Sequence, residues 1–322
     1  MDSQSLHSKP SQDTLISLMQ LDPSPIESPT SRPITDKDLP PLPEEAGDDN
    51  KPLSPTTNGV GLSGNGHGAI YYLTRIQRYS SYTFSVFATL HLATTSLIPL
   101  VSRSVPASES YLLLAREIHQ TPISEPLLVF IPVLAHVGSG IALRLTRRAH
   151  NVARYGAHPH AHRKHSPWPA VSYIAISGYI FTVAYAAHVF VNRGLPLAVE
   201  GDSANIGLAY VAHGFARHPV TSWLAYGGLL VVGCGHMVWG WARWFGLAQG
   251  AGWKVPWPTG NLVVDRGVKR RRRRRLMVIN AVAAGAVVLW AAGGLGVVAR
   301  GGMTMGWVGR IYDGLFDRIP GF

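Results

Sequence analysis

One cysteine in 322 residues, Cys234, leaves no partner for an internal disulfide, and a lone thiol says nothing of the redox compartment. Aromatic residues are missing from the first 65 positions, where ten acids stand against four Lys or Arg among many Ser and Pro. So little apolar side chain cannot offset the entropy of ordering the chain, which predicts a disordered, acidic tail over residues 1–68. The first apolar run follows that tail, and the start is not an Arg-rich amphipathic segment. Neither a signal peptide nor a matrix presequence is therefore read there. A carboxylate pair, a nucleophilic triad and a phosphate loop are lacking too. "GLSGNGHG", residues 61–68, follows no strand and reads as a tether. The expectation is a protein that is not an enzyme.

Aspartate, glutamate and lysine are absent again where the chain is most apolar, in five stretches at 81–101, 127–145, 170–191, 220–241 and 276–299. Each has the roughly 20 mostly apolar residues that a helix needs to cross a bilayer. Buried helices of a soluble protein would carry polar faces at helical spacing, which these barely have. The fold class expected is an all-α polytopic membrane protein.

Charge then orients the spans. The N-terminal flank and the second and fourth connections hold 18 Lys or Arg against one acid, Asp265, while the other side holds seven basic residues and seven acids. Basic connections stay on the cytosolic side, which predicts a cytosolic N-terminus. The net charge of +11 is thus a membrane-surface property. Because Arg275 abuts the fifth span, the "KRRRRRR" run reads as an anchor for anionic headgroups, and no nucleic-acid partner is expected.

Two histidine patterns recur. His91 and Pro99 match His188 and Pro196 at an offset of 97, while His136 and Gly140 match His236 and Gly240 at an offset of 100. The spacing predicts a duplicated two-helix hairpin, with repeats at about 75–150 and 168–246 forming a four-helix bundle, a fifth transmembrane helix outside it and a short tail at 301–322. Parallel repeats put matched residues at similar depths, so His91 pairs with His188 and His136 with His236.

Two imidazole pairs at two depths are the plan of a dihaem b-type cytochrome, in which a flat macrocycle sits between helices that offer small residues. Ala135, Gly138, Gly140, Gly178, Ala187, Gly233 and Gly235 could give that space. Hydrogen-bonded helix packing would use the same residues, and the sequence leaves both readings open. Catalytic zinc fits poorly, because the spans supply no third clustered ligand and no carboxylate base. His150, His158, His160, His162 and His165, in the second connection, read as a solvated pH-sensitive loop.

The segments "RYSSYTFSVFATLHLATTSLIPL" and "PLLVFIPVLAHVGSGIALRLTRR", followed by a second hairpin with the same histidines, resemble the transmembrane domain of the fungal Mcp-one family over roughly residues 71–300. That domain is itself similar to the haem-bearing membrane anchors of succinate dehydrogenase and fumarate reductase. The resemblance implies a mitochondrial outer-membrane adaptor in lipid homeostasis that works with membrane lipids. It also implies recruitment of a vacuolar-protein-sorting-thirteen-type lipid-transfer protein through a Pro-x-Pro motif in the cytosolic tail. "LISLMQLDPSPI", residues 15–26, fits that motif, with Pro23 and Pro25 as its prolines and Ile16, Met19 and Leu21 as apolar anchors; such a peptide can add to a sheet edge. "LPPLP", residues 39–43, is a competing match without the apolar lead-in.

Overall fold

The structure, a computed structural model, describes residues 68–155 and 167–320. The tail motif with Ile16, Met19, Leu21, Pro23 and Pro25, the competing "LPPLP", the 61–67 glycine run and four of the five loop histidines lie outside the described residues.

Among the described residues there is no strand, and five helices are long and apolar enough to cross a membrane: Ala69–Ser102, Pro126–Arg154, Tyr173–Glu200, Pro219–Trp244 and Leu262–Arg300. Span one is α1 (Ala69–Leu92), a π turn (Ala93–Leu97) and α2 (Ile98–Ser102). Span two is a π turn (Pro126–Phe130) followed by α4 (Ile131–Tyr155). Span three repeats the plan of span one, with α5 (Tyr173–Val189), a π turn (Phe190–Gly194) and α6 (Leu195–Glu200). Spans four and five are α8 (Pro219–Trp244) and α9 (Leu262–Gly294).

The three π turns share a cause. Each ends on a residue whose N–H reaches five positions back, Ile98 to Ala93, Ile131 to Pro126 and Leu195 to Phe190, and the next residue in each case is proline, Pro99, Pro132 or Pro196. Proline offers no N–H and its ring crowds the carbonyl four residues back, so one widened turn lets the helix continue without a break.

Helix α1 packs on α4 and α5 packs on α8, giving the two expected hairpins, and α9 lies against α8 and the π turn of span one. Tyr82 stacks on Trp241 with ring centroids 4.9 Å apart, and Trp244 Nε1 donates to Ser81 Oγ at 3.2 Å, which ties the hairpins at the end carrying most of the arginines. The outer faces of the spans are apolar and exposed, with Val86 at 63%, Val183 at 71% and Leu224 at 73%, as a lipid-facing surface requires.

The opposite end carries three helices that the sequence reading treats as loop or tail: α3 (Val105–His119), α7 (Leu208–Arg217) and α10 (Gly306–Phe316). Helices α7 and α10, with residues of span three and Ile206, bury Leu195, Tyr210, Tyr312, Leu315 and Phe316 in one cluster, and α3 packs through Val105 on Leu208 and Val298 in another. The apolar positions 308, 311, 312, 315 and 316 recur at amphipathic helical spacing, a signal that the reading of 301–322 as a short tail passes over. The arginine run is likewise helical. Helix α9 starts at Leu262, where the Asn261 side chain accepts from Val263 N and Val264 N, so the run forms the helix's own first half rather than a loop.

Candidate cofactor and ligand cavities

The four sequence-predicted histidines come together as two pairs. His91 and His188 have ring centroids 6.1 Å apart at an interplanar angle of 74°, and His136 and His236 are also 6.1 Å apart, at 85°. Each pair lines a cavity of about 250 Å³, the first near the three-helix cap and the second near the arginine-rich end. Phe84, Phe181, Tyr185 and Met237 line both and form the wall between them.

Local geometry repeats the duplication. Thr95 Oγ1 donates to His91 O at 2.6 Å, and Asn192 Nδ2 donates to His188 O at 2.8 Å, each four residues past its histidine. In the second pair the Nδ1 of His136 meets Gln77 O at 3.0 Å, and the ring of His236 bonds the backbone of Ile174. Gln77 and Ile174 are 97 residues apart, the offset of the repeat. Ser80 and Ser177, at the same offset, each donate a hydroxyl to the carbonyl of one of these two residues, and Ser177 Oγ also lies 3.3 Å from His236 Nδ1. A histidine that spends its Nδ1 proton on a carbonyl keeps a bare Nε2, the form in which imidazole binds a metal.

Of the small residues expected to make room, Gly140, Gly178 and Gly233 line the cavities. A Cβ at Gly178 would stand 2.8 Å from His236 Cε1, and one at Gly233 would stand 2.8 Å from the Phe181 ring. Ala135, Gly138, Ala187 and Gly235 line neither cavity.

These residues fit a haem of b type. Two imidazoles that share one ion at about 2 Å from each ring nitrogen have ring centroids on the order of 6 Å apart, which both pairs match. The donor set, imidazole nitrogens among apolar and aromatic side chains, suits iron in a porphyrin.

Polar groups missed by the sequence reading close the cap end of the first cavity. Arg193 pairs with Glu125 at 2.7 Å and bonds Ser203. Arg116 donates to Gln120 Oε1 at 2.7 Å, Ser203 O at 2.7 Å and Ile206 O at 2.9 Å. Burial and the neighbouring Arg193 hold the Arg116 pKa below its usual value. Glu109 accepts from Leu208 N at 3.0 Å and so caps α7, whose own N-terminal residue, Gly207, brings no side chain. In the cap core, buried His213 bonds Asp313 through Nε2 at 2.9 Å and accepts from Thr304 N through Nδ1 at 3.1 Å.

Five long apolar helices, four of them paired as repeated hairpins with histidines between, define a multi-pass membrane protein. Residues 183–303 match the family model described as MDM10-complementing protein 1, transmembrane domain, so over that stretch, which includes His188 and His236, the resemblance to the Mcp-one family holds. No curated protein and no solved structure matches the chain.

Proposed function

We propose that the protein is a multi-pass adaptor of the mitochondrial outer membrane in lipid homeostasis, its N-terminus cytosolic. Its tail recruits a bridge-like, vacuolar-protein-sorting-thirteen-type lipid-transfer protein through Pro23 and Pro25, and its helical body receives the delivered lipid and helps it cross the bilayer. The family match over residues 183–303 is the observation that carries this reading; the tail motif and the basic connections support it. No covalent chemistry is required. The Pro23→Ala/Pro25→Ala double variant should insert in the membrane normally and lose the partner.

A second reading rests on the paired histidines: the body would hold two b-type haems, one by His91 and His188 and the other by His136 and His236. Haem bound there supplies one-electron transfer between the ferrous and ferric states. Carbonyl and side-chain bonds fix the rings of His136, His188 and His236, Phe87 and Trp290 pack on that of His91, apolar walls exclude water, and the aromatic residues between the cavities set the spacing of the two sites. The test is a dithionite-reduced minus oxidised absorption spectrum of the purified protein. Two b-type components are expected, one lost in His91→Ala and the other in His236→Ala; a featureless spectrum from folded protein removes the haem reading and leaves the adaptor. The two readings are compatible, because partner recruitment belongs to the tail and the haems to the spans.

A further inference from the structure

The two cavities differ in how their arginines are neutralised. At the cap end the protein answers its own charge: Glu125 and Ser203 meet Arg193, while carbonyl and hydroxyl oxygens take the donors of Arg116. The second cavity is lined by Arg144 and Arg147 of α4 and Arg243 of α8, and by no aspartate or glutamate. None of these three arginines enters an ion pair among the described residues. Arg144 donates to Pro169 O at 3.3 Å, a neutral partner. The connection between α4 and α5 adds no acid, since residues 156–166 read "GAHPHAHRKHS".

Three guanidiniums on one mouth repel one another, and sharing a doubly hydrogen-bonded acid relieves that repulsion as no neutral group can. Deeper in, the same cavity is apolar, with Phe84, Phe181, Val133 and Ile141 in its wall. A ligand that satisfies both parts has an acid head and an apolar body.

We infer that the second cavity binds an acid-bearing amphiphile whose acid group is held by Arg144, Arg147 and Arg243. Two sources have this chemistry: the carboxylates of a porphyrin ligated by His136 and His236, which deepens and rests on the haem reading, and the phosphate of an anionic phospholipid, which does not. The arginine ring at the mouth selects for the acid group in either case.

The experiment compares wild type with Arg144→Gln/Arg147→Gln/Arg243→Gln and with a control of equal charge loss at the cap end, Arg300→Gln/Arg310→Gln/Arg318→Gln, exposed residues that line neither cavity. Haem per chain is measured by pyridine haemochrome. Retained phospholipid is measured by native mass spectrometry after incubation with phosphatidylcholine vesicles with and without phosphatidic acid. If the source is porphyrin, the cavity variant loses one of two haems and the control keeps both. If it is lipid, the cavity variant loses retained phosphatidic acid while haem, present or absent, does not change. A wild type without haem sinks the haem reading alone, and phosphatidic acid retention then decides. Ligand content equal in the cavity variant and the control, or a wild type that retains neither ligand, overturns the inference. Single glutamine variants, read the same way, cover the case in which the triple variant does not fold; each is expected to weaken retention about tenfold.

Discussion

At the scale of single residues the site turns on which nitrogen of each histidine is engaged. Histidine identity and spacing are legible in the sequence, and so is the pairing, because two parallel repeats carry matched positions to one depth. The carbonyls of Gln77 and Ile174 that orient His136 and His236 are not legible, because a backbone oxygen has no sequence signature. Gly178 shows the cost of disturbing that orientation. With a Cβ 2.8 Å from His236 Cε1, Gly178→Leu must displace the imidazole, since a helix backbone cannot move back by that much. The expected result is loss of the spectral component assigned to the His136 and His236 pair, while the component assigned to His91 and His188 persists; a wild-type spectrum would show that His236 is not held where the structure has it.

Among the elements, spans are readable from length and apolarity, and the three helices of the cap are not, because they are short and two lie where the charge and hydropathy pattern marks a connection. Helix α7 depends on a residue 99 positions away, Glu109, for its N-terminal cap. A carboxylate at a helix N-terminus is favoured by the backbone donors and the dipole, yet burial outweighs them and raises the Glu109 pKa. The folded state therefore holds this proton more tightly than the unfolded chain. The stabilisation that follows is full below the unfolded-state value and is lost as pH rises through the raised one. Glu109→Gln keeps an acceptor for Leu208 N without a buried charge, so its melting temperature in detergent should match or exceed wild type at neutral pH, with that part of the pH dependence gone. Glu109→Ala leaves the donors unmet and should cost about 1–3 kcal/mol; no drop in melting temperature would mean that α7 does not need the cap.

The contact of the fifth helix with span one is a second prediction at this scale. Ser96 Oγ donates to Leu289 O at 3.0 Å and to Trp290 O at 2.8 Å, and a Cβ at Gly293 would collide with the backbone of Ser96. Small residues let membrane helices approach this closely, and the hydroxyl then bonds the neighbour's carbonyls. Gly293→Val should push α9 off the π turn and lower the melting temperature by several degrees, corresponding to about 1–3 kcal/mol of overpacking. Unchanged stability would show that α9 is not docked there.

For the whole molecule, the division of labour follows the division of composition. Apolar residues build a body whose lipid-facing sides are exposed and whose tightest packing lies in the cap, where Tyr210, Leu315 and His213 are almost fully buried. The proposed partner motif in the tail is read from composition and local spacing alone, which is all the signal a short peptide offers. The proposed function gives the two parts different work, so substitutions should separate them: histidine variants should change haem content and spare recruitment, and proline variants should do the opposite. The most direct measurement follows a fluorescent lipid-transfer partner in cells that express wild type, Pro23→Ala/Pro25→Ala or His91→Ala/His236→Ala at equal levels in mitochondria. The account predicts that the partner gathers on mitochondria with wild type and the histidine variant and stays dispersed with the proline variant. Recruitment by the proline variant equal to wild type would contradict it.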